Sequence, residues 1–144
     1  MTDINEFIIE EPKEFYDDKR DFTTLEAWQK CRIVKLFFYK KILPHLPEEE
    51  KFNLAIQIRK AAVSTTANIS EGYGKYHYRE GIQFYRISRG SLYELKDHLL
   101  SCYDFDYIEN NLKDEGLNLI ESAKVTLNGY INYVKKKVDV NKGR

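Results

Sequence analysis

No proline occurs anywhere between Glu48 and Arg144. A proline inside a helix removes a backbone donor and clashes with the preceding turn, so a long proline-free span leaves long helices open to the chain. The three prolines present, Pro12, Pro44 and Pro47, all lie earlier. No stretch rich in Val, Ile and Thr alternates with a period of two between turn residues, so strands have little support. Apolar residues recur instead at spacings of three and four.

That spacing predicts four helices. The first starts at Thr23 or Thr24, carries Leu25, Trp28, Arg32, Leu36, Tyr39 and Leu43 on one stripe, and ends at Pro44 and Pro47. The second opens with Glu48, Glu49 and Glu50, whose charges suit a helix N-terminus. Its stripe reads Phe52, Ala55, Ile56, Arg59, Ala62, Val63, Thr66 and Ile69, and Gly72 and Gly74 stop it. The third resumes near Tyr78 with Ile82, Tyr85, Leu92, Leu95, Leu99 and Cys102, fraying at Asp104 to Tyr107. The fourth begins at Asn110 or Asn111, shows Leu112, Leu119, Ala123, Leu127, Tyr130 and Val134, and closes on Lys135, Lys136 and Lys137. Amphipathic helices of similar length on short loops pack most simply as an all-α, up-down-up-down four-helix bundle, here over residues 22–144.

Residues 1–21 lack a clear period and read as an acidic N-terminal arm. They hold eight acids and three bases, a net −5. The whole chain is neutral, with 23 cations and 23 anions, so the body carries +5. A mild basic excess is compatible with polyanion binding without demanding it. Cys31 and Cys102 lack CxxC spacing and read as buried thiols. No apolar stretch approaches membrane-spanning length and no signal-like segment opens the chain, so the expectation is a cytoplasmic protein without a membrane.

The stretch NISEGYGKY, Asn68–Tyr76, contains Gly-x-Gly-Lys. A phosphate loop of that kind follows a strand and continues Lys-Ser/Thr. Here a helix precedes it and Tyr76 follows Lys75, so no nucleotide cofactor is expected. Gly72 is expected to supply a left-handed helix stop, with Asn68 and Glu71 finishing the helix and Arg79 or Arg86 countering Glu71. A di-metal centre in a bundle needs paired Glu-x-x-His motifs. Glu94 and His98 are four apart, no second copy exists, and His45 and His77 fall in loops, so no metal site is expected. No hydrolytic triad signature appears, and the chain reads as a non-enzyme.

Two polar features sit inside the stripes. Arg59 and Glu94 fall at similar heights about the turn near Lys75, which predicts a buried pair that sets register. Gly90, beside Ser91 in mid-helix, costs about 1 kcal/mol against alanine. That cost predicts either a close helix approach or a kink. Lys60, Lys75, Arg79, Arg86, Arg89 and Lys96 interleave with Tyr73, Tyr76, Tyr78, Tyr85 and Tyr93, a pattern that suits nucleic-acid contact or packed interfaces.

The runs LEAWQKCRIV, LPEEEKFNLAIQIRKAAVSTTANISEGYGK and FYRISRGSLYELKDHLL resemble the four-helix-bundle proteins encoded in intervening sequences of bacterial 23S ribosomal RNA genes. The accessory variability determinant of diversity-generating retroelements belongs to the same superfamily. The resemblance covers roughly residues 22–138. The family pattern reads QIRRAAVSIPSNIAEG; here Lys60 stands for the second arginine, Thr65 and Thr66 for Ile-Pro, and Ser70 for alanine. Arg59, Asn68, Glu71, Gly72, Gly90, Ser91 and Glu94 match the family motifs. The resemblance implies a left-handed bundle, a homo-oligomer (most simply a pentamer), no known catalysis and, in the retroelement branch, nucleic-acid binding through a basic surface. Lys60, Lys75, Arg79, Arg86 and Arg89 are the expected contacts. A protein-interaction adaptor whose acidic arm covers the basic face is the alternative.

Overall fold

A computed structural model describes residues 21–140. The expected acidic arm therefore lies outside the described residues, Asp21 apart. Four helices and no strand occur among the described residues: α1 (Glu26–Phe37), α2 (Leu54–Gly74), α3 (Tyr78–Asp104) and α4 (Asn110–Val140). The chain is an all-α four-helix bundle.

Contacts between the helices fix their register. Ser91 Oγ lies 2.7 Å from Ser64 Oγ, and the buried Ser88 hydroxyl donates to the Thr65 carbonyl, so α2 and α3 run antiparallel. Arg89 donates to Asn128 Oδ1 at 3.0 Å, and the Tyr85 and Tyr130 rings meet edge to face at 5.1 Å, which does the same for α3 and α4. Lys30 reaches Ser122 across α1 and α4, and Lys35 reaches Thr66 across α1 and α2.

The stripe expected for α3 is buried: Ile82, Tyr85, Leu92, Leu95, Leu99 and Cys102 all enter the core. Those of α1 and α2 are turned from the expected position. α1 buries Ala27, Cys31, Val34 and Phe37, leaving Leu25 and Trp28 at the edge of the core and Tyr39 exposed. α1 carries two adjacent apolar stripes, and the one with the smaller residues Ala27, Cys31 and Val34 faces the interior. After Phe37 the helix widens into a π turn, Phe38–Ile42. The wider turn brings Ile42 beneath Phe37, five residues on, and both are fully buried.

α2 begins at Leu54, not at Glu48. Glu48–Glu50 form a separate 3₁₀ turn after Pro47. The buried Glu50 is taken up by tertiary partners: it accepts from Tyr107 Oη at 2.8 Å and from Asn53 Nδ2 at 3.1 Å. α2 then buries Leu54, Ile58, Ala61, Ala62, Thr65 and Ile69. Phe52 is 81 % exposed. Arg59 points to solvent, and Glu94 takes His98 Nε2 at 3.1 Å, so the expected Arg59–Glu94 pair does not form. The small residues of α2 fill the interior, and the charged ones on the opposite side have no reason to enter it.

The Glu50–Tyr107 bond has a pH signature. The tyrosine hydroxyl holds the Glu50 carboxyl below its ordinary value, and the carboxylate pushes Tyr107 up to about 12. A depressed carboxylate contributes stability above its unfolded pKa and loses it as pH falls through the folded one. The raised tyrosine contributes below its unfolded value and loses that contribution as pH rises toward 12. Wild type is therefore expected to exceed Tyr107→Phe in unfolding free energy near neutrality. The difference should vanish as Glu50 is protonated, read by urea melts across pH. A difference unchanged down to pH 3 would contradict the bond.

Cys31 and Cys102 are buried, free thiols, as expected. Burial pushes Cys31 up to about 12 and Cys102 up to about 11, which disfavours the reactive thiolate.

Candidate nucleic-acid interface

The turn that joins α2 to α3 is built differently from its sequence reading. α2 runs past Gly72 to Gly74, and the residue with positive φ is Tyr76, at 56°. Gly72 is buried inside the helix, where a Cβ would lie 2.8 Å from the Tyr85 ring and 2.9 Å from Phe84 Cβ. It would also come within 3.0 Å of the Gly81 carbonyl. Gly72 is therefore required for close approach of α2 to α3 and not as a helix stop. Asn68 donates to the Ser64 carbonyl and to Ser64 Oγ, one turn back, which places it within the helix and not at its end. Glu71 is exposed, and neither Arg79 nor Arg86 forms an ion pair with it among the described residues.

Gly90 is exposed, and an added Cβ would meet nothing within 4 Å. α3 passes through it without a break. Both readings of Gly90 within one chain, the close approach and the kink, are thus replaced by an open glycine on the outer surface. Ser91 does contact the neighbouring helix, through Ser64.

The five expected nucleic-acid contacts do not form one surface. Lys75 and Arg79 flank the turn, both exposed, with Arg86 about two turns further along α3. Lys60 lies on α2 some fifteen residues before Lys75, about 22 Å away along the helix. There it lines a shallow depression with Tyr39, Arg59, Val63 and Ser64. Arg89 is turned into the α3–α4 seam by Asn128.

Antiparallel packing adds residues that the sequence reading assigned only to the helix dipole. The C-terminal end of α4 comes to the same end of the bundle as the α2–α3 turn. The register set by Arg89–Asn128 and Tyr85–Tyr130 puts Lys135, Lys136 and Lys137 at about the height of Arg79. Tyr76 is 88 % exposed, Tyr78 47 % and Tyr133 53 %, so aromatic faces lie among the cations. Lys75 Nζ sits 5.6 Å from the Phe84 ring centre, and Lys137 Nζ 5.3 Å from that of Tyr133. Below them Tyr85 and Tyr130 pack together, and burial pushes both hydroxyls up, so they stay neutral. The arrangement offers fixed cations and stacking surfaces. Glu71, Glu80 and Asp139 are acids in the same segments.

The opposite end carries acids with Lys113 among them. Asp104, Asp106, Glu109 and Asp114 cluster near the α3–α4 connection. No group of three or more His, Cys, Asp or Glu side chains placed to share a metal ion occurs among the described residues. No helix among them is long and apolar enough to cross a membrane.

The fold and this surface define a helical-bundle protein with a basic, tyrosine-rich end. The model of one family, 23S rRNA-intervening sequence protein, matches residues 23–129. The chain belongs to that family. No curated protein matches it.

Proposed function

We propose that this protein is a non-catalytic, cytoplasmic, oligomeric scaffold that holds structured RNA against the basic, tyrosine-rich end of its bundle. The observation that carries the reading is the juxtaposition of Lys75, Tyr76, Tyr78 and Arg79 with Tyr133 and the Lys135–Lys137 run. Cations at that end neutralise backbone phosphates, and exposed tyrosines stack unpaired bases regardless of sequence. Oligomerisation multiplies such ends and raises avidity without new contacts. The family match accords with RNA as the polyanion.

The test is fluorescence anisotropy with a labelled RNA hairpin, on the full chain and on one lacking residues 1–21. Four phosphate contacts predict about a hundredfold weaker binding for a fourfold rise in salt. The charge reversals Arg79→Glu and Lys135→Glu together should cost at least about tenfold, whereas Lys51→Glu at the far end should change nothing. Absence of binding at low salt in both forms overturns the RNA reading. Binding that appears only after truncation identifies the acidic arm as a competitor for the same surface. A reverse-transcriptase gene beside this one would redirect the scaffold to the retroelement branch.

A further inference from the structure

Half of this bundle is built from segments without acids. No Asp or Glu occurs in residues 27–47 or 51–70, while eight Lys and Arg residues do. Those segments supply α1 beyond Glu26, its π turn, and α2 as far as Ser70. Packing sets them side by side, since Lys35 Nζ reaches Thr66 Oγ1 at 3.1 Å across the seam. Positive charge on this face has no counterweight on its own elements. Burial, and then the charge of Arg32, push the Lys35 amine down from its ordinary value. Glu94, across the α2–α3 seam, is held by His98 at 3.1 Å.

A depression of about 460 Å³ opens on this face, lined by Tyr39, Arg59, Lys60, Val63 and Ser64. That volume falls within the roughly 300–1,000 Å³ of small-molecule sites. Arg59 and Lys60 are exposed, and neither forms a hydrogen bond or ion pair among the described residues. Ser64 Oγ accepts from Ser91 Oγ at 2.7 Å and from Asn68 Nδ2 at 2.8 Å, so its own proton is left to donate. Tyr39 is 38 % exposed and Val63 46 %, which gives the cations an apolar flank.

The π turn Phe38–Ile42 is what puts Tyr39 there. Its wider winding lets Phe38 and Ile42 both enter the core while Tyr39, between them, faces out. Such turns are rare and occur frequently at functional sites.

The chemistry of the lining selects a ligand with a compact anion and a flat ring. A guanidinium presents a planar fork to phosphate, and an ammonium adds a point charge. A tyrosine face stacks a base whatever its identity. Two uncompensated cations match a phosphate dianion. A bare anion would leave Tyr39 and Val63 without a role, and an uncharged ring would leave Arg59 and Lys60 without one.

We propose that the depression beside the π turn binds a nucleoside 5′-phosphate, with Arg59, Lys60 and Ser64 on the phosphate and Tyr39 and Val63 against the base. Lys60 is about 22 Å along α2 from Lys75, so the site is separate from the basic end and stands without the RNA reading.

The test is equilibrium dialysis of the full chain against labelled adenosine 5′-monophosphate. Wild type should bind one nucleotide per chain, saturably. Adenosine and inorganic phosphate, each alone, should compete at least about tenfold more weakly than the nucleotide. Arg59→Gln and Lys60→Gln should each weaken binding at least about tenfold, the cost of one charged hydrogen bond. Tyr39→Ala should weaken it roughly fivefold or more through the lost stack. Arg59 and Lys60 are exposed, so far-UV circular dichroism of their variants should match wild type. No saturable binding at millimolar nucleotide overturns the site. Phosphate that competes as well as the nucleotide shows an anion site without base recognition and overturns the ligand class. Binding that survives Arg59→Gln and Lys60→Gln together but is lost in the Arg79→Glu, Lys135→Glu chain puts the nucleotide at the basic end and also overturns the site.

Discussion

Phe37→Ala should lose about 3–5 kcal/mol of stability, the expected cost of truncating a fully buried aromatic. Phe37 is the last residue of α1 before the π turn and is wholly buried. Its ring meets Phe38 edge to face at 5.7 Å. Its far edge lies 2.8 Å from where a Gly116 Cβ would stand, beside Leu99. One ring thus ties α1 to α3 and α4, and its removal leaves a void bounded by three helices. With total stabilities of roughly 5–15 kcal/mol for a domain, this loss is a large fraction of the whole. The midpoint should fall roughly 10–20 °C. Urea and thermal melts at one fixed protein concentration check it, since assembly shifts apparent stability. A loss below about 1 kcal/mol would mean that the cavity collapses and that Phe37 does not tie the helices together.

Gly72→Ala carries the second large effect, and its sign is the informative part. On propensity alone alanine stabilises a helix by up to about 1 kcal/mol. Here the added methyl meets Phe84 Cβ and the Gly81 carbonyl, atoms close to or in the backbone that cannot swing aside. Overpacking of that kind costs about 1–3 kcal/mol. The expected outcome is a lower midpoint and a displaced α2–α3 turn, seen as altered chemical shifts at Tyr76 and Tyr85. A raised midpoint would show that α2 and α3 separate freely and that Gly72 serves only as a poor helix former. Gly74, two residues later, is open and provides the contrast.

Much of the fold can be read along the chain. The proline-free span, the turn at NISEGYGKY and the stripe of α3 predict helices at Tyr78 and Asn110, where α3 and α4 begin. The stripes of α1 and α2 could not be placed the same way. Each of those helices offers two apolar rows, and only the partners they meet select between them. Arg59 shows the consequence. It lies on one row of the sequence pattern but faces solvent, because Ala61, Ala62 and Thr65 let α3 and α1 come close on the other side.

The candidate surface was legible only in pieces. Lys75 and Arg79 stand out in the sequence, but Lys135, Lys136 and Lys137 lie far along the chain and look like ordinary helix-end charges. Arg89 reads like its neighbours until Asn128 takes it.

By itself the sequence determined that the chain is helical, where α3 and α4 begin and which family it resembles, because helix period and proline act locally. The tertiary structure decided which face of each helix is inside, that Gly72 serves close approach, that Gly90 is open, and that two distant basic runs share one end. Those are properties of neighbours brought together by packing, and the strength of a contact depends on separation in space, not on separation along the chain.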